Sequence, residues 1–322
     1  MRNEFPRRLF ALTLICAAAL PAVSVAAEPV ELTLLGAGTL AEPFKEVAAA
    51  FEAKNPDLVV RSQFGGSVMM ARHITDLHQP ADLLAVADYT VIPKYLMAPG
   101  QTSYASWYVG FAQNAITFVY TPDSKYAKDV NADNWLDYLT RPDVQIGRSN
   151  PDTDPSGYQT LQMLALAERH YNRPGAAAQV LANSPPGNMR DTETDLVAAL
   201  QTGQIDYLAI YRSDALQHHL QSLDLPAAIN LSDPAFSADY AQVVAHTKNG
   251  DLKGKPIIYA VTIPTNAEHP AQAVRFVAFL LGPEGRAIMA RNGFGVMEKP
   301  YATGVDQMPE GLRDMVVSWP SR

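Results

Sequence analysis

The stretch ELTLLGAGTLAEPF, residues 31–44, sets an apolar strand pattern against a helical one, with Gly36-Ala37-Gly38-Thr39 at the seam. Glu31 to Leu35 reads as a strand. Phe44, Val47, Ala48 and Phe51 recur at helical spacing, with Pro43 in the first turn. A helix beginning here points free amide N–H groups and the positive end of its dipole at the seam. Gly38 lets a ligand approach the backbone, and the Thr39 hydroxyl adds a donor. An anion held this way needs no lysine or arginine partner. The same construction recurs at FGGSVMMARHI, residues 64–74, with Gly66 and Ser67, and at DPSGYQTL, residues 154–161, with Ser156 and Gly157 after Pro155. Each seam also has a purely local explanation. Thr39-Leu40-Ala41-Glu42 spells a capping box, and Asp154-Pro155 is a favourable N-cap and first-turn pair.

Working outward, strand and helix patterns alternate. Leu58 to Phe64 reads as a strand. Val68, Ala71, Ile74 and Leu77 mark a helix stopped before Pro80, and DLLAVAD (82–88) is a third strand. The alternation predicts a parallel sheet with covering helices. Further on, VQIGRS (144–149) and QIDYLAIY (204–211) read as strands. Tyr158, Leu161, Leu164 and Ala165 mark a helix, TETDLVAALQTG (192–203) is a helix closed by Gly203, and SDALQHHL (213–220) opens another. Two extended stretches, WYVGFAQNAITFVYTP (107–122) and KGKPIIYAVTIPTN (253–266), read as crossings between halves. AVRFVAFLLGPEGRAIMARNGF (273–294) makes two helices expected to return to the first half. The predicted architecture is α/β, with two lobes joined by two crossing segments. Residues 28–110 and 256–322 form lobe 1, and 111–255 form lobe 2. Ligands of such sheets bind beyond the carboxyl ends of the strands, where the seams gather.

Residues 1–27 read as a secretory signal peptide: Arg2, Arg7 and Arg8, then an apolar stretch from Leu9 to Val23, then small residues with an expected cut after Ala27. Cys16, the sole cysteine, leaves with it, and Ile15 before it does not suit lipid attachment. The remaining chain of about 295 residues is long enough to bury sizeable cores without disulfides. The segment carries three arginines and Glu4, so its removal takes the formal charge from −8 to about −10. An acidic exported chain is a poor nucleic-acid binder. No other stretch is apolar and long enough to span a membrane.

Catalytic motifs are sparse. There is no nucleophile elbow, zincin helix or P-loop. The seven histidines, at 73, 78, 170, 218, 219, 246 and 269, are scattered, and the adjacent His218 and His219 would point about 100° apart on a helix. GAGTLA fits a dinucleotide fingerprint, but the next strand ends in VVRSQF, with Arg61 and Gln63 where an acidic residue is expected. A hydrolase with a dispersed triad and a zinc site remain as alternatives.

GAGTL, FGGS, ARHITDL, PADLLAVADYTVIP, RPDVQIGRSNPDTDPSGYQTL and LQTGQIDYLAIYRSDALQHH together resemble the periplasmic molybdate/tungstate-binding proteins of ABC importers, most of all the branch best known from archaea. The resemblance covers nearly all of the chain after residue 27. It implies a type II periplasmic binding fold closing on an oxyanion, with no cofactor and no catalysis. It implies a monomer in the periplasm whose partners are molybdate or tungstate and a membrane permease. It places Thr39 and Ser67, beside Gly38 and Gly66, as hydroxyl donors of the first lobe. It places Ser156 as a backbone donor, Met189 in GNMRD near another, and Tyr211 as a hydroxyl donor. No residue ligates the metal directly, but Asp154 matches an aspartate that approaches it. The chain departs from that branch at Ile210, where a glutamate can complete six-fold coordination, and at Ser156 and Gln159, in place of cysteine and arginine. These departures predict a tetrahedral dianion held by neutral donors. Ile210, next to Tyr211 on a strand, is expected to turn away from the site. Sulfate, phosphate and organic carboxylates are the alternative cargoes.

Overall fold

The computed structural model describes Met1 and residues 28–319 apart from 101 and 192. The expected signal peptide, its cut after Ala27 and Cys16 lie outside the described residues. Strand β1 (Val30–Ala37) lies between β2 (Leu58–Gly65) and β3 (Leu83–Val86), parallel to both. Alternation along β1 sends its side chains to two cores. Leu32 and Leu34 join Phe44, Val47 and Phe51 of helix Ala41–Lys54. Leu35 joins Val68, Ala71 and Ile74 of helix Ser67–Thr75 on the other face. A sheet covered on both faces reads as a nearly continuous apolar run, which is what LTLL shows.

Four further strands extend this sheet: β4 (Tyr108–Gln113), β12 (Ile258–Thr262), β13 (Gly295–Thr303) and the short edge strand β14 (Val317–Ser318). The order is β14-β13-β4-β12-β3-β1-β2. The second sheet holds β5 (Ile116–Tyr120), β6 (Ile146–Ser149), β7 (Met189–Arg190), β8 (Tyr207–Tyr211) and β9 (Gln221–Ser222), in the order β7-β6-β8-β5-β9. The expected wholly parallel sheet is therefore mixed. β12 runs antiparallel to β3 and β4, and β5 runs antiparallel to β8. These are strands of the crossing segments. They enter from the other sheet and need no helical crossover to align them. The first crossing is β4 and β5, separated only by Asn114-Ala115.

The two late helices, Pro270–Leu281 and Pro283–Arg291, return to the first sheet as expected, with the Phe276 ring 6.1 Å from Phe44 and 5.3 Å from Phe51. One helix ends earlier than its spacing suggests. It stops at Thr75, and Leu77 is 67% exposed. The chain turns through His78, at φ 54°, towards Pro80, before which helical backbone is disfavoured.

A hairpin of β10 (Val244–Thr247) and β11 (Gly250–Lys253) stands apart from both sheets. Gln162 of helix Pro155–His170 donates to the Leu252 carbonyl at 2.9 Å and seats the hairpin on the second lobe. At its tip the Asn249 side chain donates to the Asp152 carbonyl at 2.6 Å. The same residue receives Lys94 Nζ on its carbonyl at 2.6 Å and Arg72 on its side-chain oxygen at 2.8 Å, both from the first lobe.

Candidate functional site

The seams meet between the two sheets. Gly38, Thr39, Gly65 and Gly66 of the first lobe, with Ser149, Asp154, Ser156, Asp191 and Ile210 of the second, line one small pocket with about 10 Å³ of free space. The lobes touch beside it. A Cβ at Gly66 would stand 2.5 Å from the Thr153 carbonyl oxygen, so only glycine fits this approach.

Neither first-lobe helix is capped by a side chain. A short 3-10 turn, Gly38–Leu40, leads into Ala41–Lys54, and neither has a side-chain cap. The expected capping box is absent, because the 3-10 turn moves Thr39 inside the helical segment. The Thr39 hydroxyl, 6% exposed, instead lies 2.9 Å from the Tyr259 hydroxyl. The helix at Ser67 is likewise uncapped by any side chain. Ser67 is fully buried just behind the lining, and its Oγ accepts the Ala87 N–H at 3.0 Å.

The third seam is built differently. Asp154 is the N-cap, as its place before Pro155 predicts, and its Oδ1 accepts both the Ser156 N–H at 2.8 Å and the Ser156 hydroxyl at 2.6 Å. The amide assigned to the oxyanion at Ser156 is thus bound to the chain's own carboxylate. Met189 is not among the lining residues, and its N–H donates to the Pro186 carbonyl. Tyr211 is not among them either. It is 1% exposed, its ring lies 5.7 Å from that of Tyr259, and its hydroxyl donates to Gln159 Oε1 at 2.7 Å. Burial, then Tyr259 and Asp154, holds the Tyr211 hydroxyl well above its usual pKa. Ile210, expected to turn away, forms part of the wall while packing with Leu196 and Leu208. Strand alternation holds, but the pocket lies on the side of Ile210.

Two lining residues were given no role in the site by the sequence reading. Ser149 is 5% exposed at the carboxyl end of β6. β6 runs parallel to β8, and that edge is where the sheet rule looks for ligands. Asp191 accepts from Asn150 at 3.2 Å and from Thr153 at 3.3 Å. Gln159 Nε2 is buried without a hydrogen-bond partner among the described residues. Farther in, Asp88 is 1% exposed and binds Lys255 at 2.7 Å, the Tyr158 hydroxyl at 2.7 Å and the Thr90 N–H at 2.8 Å. Burial pushes its carboxyl up, but Lys255, Tyr158 and Thr90 together outweigh burial and hold it below the usual range. Among the described residues no group of three His, Cys, Asp or Glu could hold a metal ion, so the scattered histidines assemble no zinc site there.

The chain has relatives in both sequence and fold. Residues 32–295 match the model of a bacterial extracellular solute-binding protein family. An uncharacterized solute-binding protein of Petrotoga mobilis is 39% identical over 292 residues, 89% of this chain and 90% of the relative. The molybdate/tungstate-binding protein WtpA of Thermococcus kodakarensis is 35% identical, over 88% of this chain and 87% of the relative. Among solved structures, the periplasmic molybdate-binding protein of Azotobacter vinelandii superposes with a TM-score of 0.61 at 16% identity, over 83% of this chain and all of that one. The sulfate-binding protein SubI of Mycobacterium tuberculosis gives 0.59 at 16% identity, over 83% and 87%. The fold is that of the periplasmic binding proteins, in which this architecture carries different anions. By sequence and by fold, the chain belongs to the bacterial extracellular solute-binding protein family, whose members bind solutes and are not enzymes.

Proposed function

We propose that this chain captures an oxyanion, molybdate or tungstate, in the pocket between its lobes and delivers it to the membrane permease of an ABC importer. It would work as a periplasmic monomer released from its signal peptide. The observation that carries this is the meeting of two helix N-termini without side-chain caps, at Gly38-Thr39 and Gly66-Ser67, around one enclosed pocket. Such termini stabilise negative charge without a cationic partner. The nearby carboxylate of Asp154 favours a metal oxyanion over sulfate. It repels a sulfate placed against it, whereas a molybdenum or tungsten centre accepts the approach of an oxygen. The 35% identical relative named for molybdate and tungstate supports the same choice.

A ligand that binds only the folded state raises the melting temperature by mass action. Molybdate or tungstate is expected to raise it more than sulfate at equal concentration, as read by differential scanning fluorimetry. Equal shifts for the three dianions would overturn the metal-oxyanion assignment.

The Thr39 hydroxyl tests the seat itself. Losing one hydrogen bond to a charged group costs about 1.5–3 kcal/mol, so Thr39→Ala is expected to weaken molybdate binding by roughly one to two decades. With no capping bond at Thr39, the empty protein should lose only the bond to Tyr259, about 1 kcal/mol. Calorimetric titration and thermal melting of the same variant separate the two effects.

A further inference from the structure

The Thr39 hydroxyl is one end of a buried chain of hydrogen bonds that runs into the first crossing between the lobes. Its Oγ1 lies 2.9 Å from Tyr259 Oη, and Asn114 Nδ2 donates to the same Tyr259 oxygen at 3.3 Å and to Ser213 Oγ at 2.8 Å. Asn114 cannot be turned over. Its Oδ1 accepts the Ala115 N–H at 2.9 Å and the Ser213 N–H at 3.3 Å, so Nδ2 must face Tyr259. An amide NH₂ only donates. All four residues are buried.

We infer that Tyr259 and Asn114, which do not line the pocket, are positioning residues that commit the Thr39 hydroxyl to donating and so bias the site towards oxyanions that carry no proton. The inference rests on the oxyanion reading above. With an anion in place the donors run in series: Asn114 to Tyr259, Tyr259 to Thr39, Thr39 to the anion. An anion bringing its own proton to Thr39 must reverse the last two links. Thr39 would then donate back to a tyrosine oxygen already receiving Asn114, and the tyrosine proton would be displaced from Thr39. Buried networks of this kind lose most when a link is left unmatched. At mildly alkaline pH molybdate, sulfate and hydrogenphosphate are all dianions, and among them only hydrogenphosphate carries a proton. The selection is therefore not one of charge.

The test is a titration calorimetry panel of molybdate, sulfate and inorganic phosphate at mildly alkaline pH, on the full folded protein and on Tyr259→Phe. The substitution keeps the ring, which packs 5.1 Å from Phe294 and 5.7 Å from Tyr211. The preference for molybdate and sulfate over phosphate is expected to narrow by about tenfold, the value of one hydrogen bond. In a Thr39→Val background the same change is expected to leave the preference unaltered, because its only route to the anion is gone. If Tyr259→Phe does not fold, Asn114→Asp replaces it. That carboxylate accepts the Tyr259 proton, draws it away from Thr39 and should narrow the preference in the same way. Equal weakening for all three anions would reduce Tyr259 to a packing residue and overturn the inference, as would a proton of phosphate received by Asp154 or Asp191, which would leave the preference intact in the variant. If the wild type binds none of the three, the oxyanion reading falls and takes this inference with it. Binding with an unchanged preference removes this inference alone.

Discussion

Lys255→Ala is expected to destabilise the folded chain by about 3–5 kcal/mol, because it strands the Asp88 carboxylate. Asp88 is 1% exposed, and Lys255 Nζ lies 2.7 Å from it. The pair also ties the lobes together, since Tyr158 of the second lobe donates to the same carboxylate. Burial is the largest influence on Asp88 and raises its pKa. Lys255 leads the groups that reverse this and leave it depressed. A depressed carboxyl contributes stability that is complete above its unfolded pKa and is lost as the pH falls through the folded value. The wild type therefore loses this contribution on acidification. The variant, with its main counter-charge gone, has little to lose. Urea unfolding followed by tryptophan fluorescence should show a wide gap between the two proteins at neutral pH that closes as the pH falls below the usual carboxylate range. A gap under about 1 kcal/mol at neutral pH would class the pair with exposed ion pairs.

Gly66→Val is expected to weaken oxyanion binding by about two decades while leaving the unliganded melting temperature nearly unchanged. Gly66 has φ −58° and ψ 132°, a conformation any residue adopts, so the backbone itself carries no penalty. The obstacle is across the cleft, where a Cβ would meet the Thr153 carbonyl oxygen at 2.5 Å. Backbone cannot step aside as a flexible side chain can, and overpacking of this kind costs about 1–3 kcal/mol, or roughly one to two decades for the β-carbon alone. Valine adds two methyl groups. Because Thr153 belongs to the other lobe, the cost falls on closure and not on folding. Calorimetry with molybdate, paired with a melt of the empty protein, checks both halves. Binding undiminished by valine would mean that the lobes need not approach this closely.

The strand and helix patterns around GAGTL were legible because local periodicity alone decides them. The burial of Phe44, Val47, Ala48 and Phe51 follows the helical repeat read from their spacing. Gly38, Thr39, Gly66, Asp154 and Ser156 were legible for a related reason: a strand-to-helix seam is a local feature that topology brings to one place. What stayed hidden was whatever depends on partners far apart in the chain. Asp88 and Lys255 give no sign in sequence that they pair, nor do Thr39 and Tyr259. The Asp154 cap was legible, but its consequence, the capture of the Ser156 amide, was not. Ile210 was misjudged because period-two alternation says which residues oppose one another and not on which side the pocket lies.

The hairpin tip at Asn249 bears on time as well as affinity. Its bonds to Arg72 and Lys94 join the two lobes, its bond to Asp152 lies within the second, and none of these residues lines the pocket. A clasp blind to the cargo cannot alter which solute is preferred. It lengthens the dwell of every occupant by one common factor. Choice of cargo and length of retention are thereby assigned to separate parts of the molecule, and either can drift through substitution without disturbing the other.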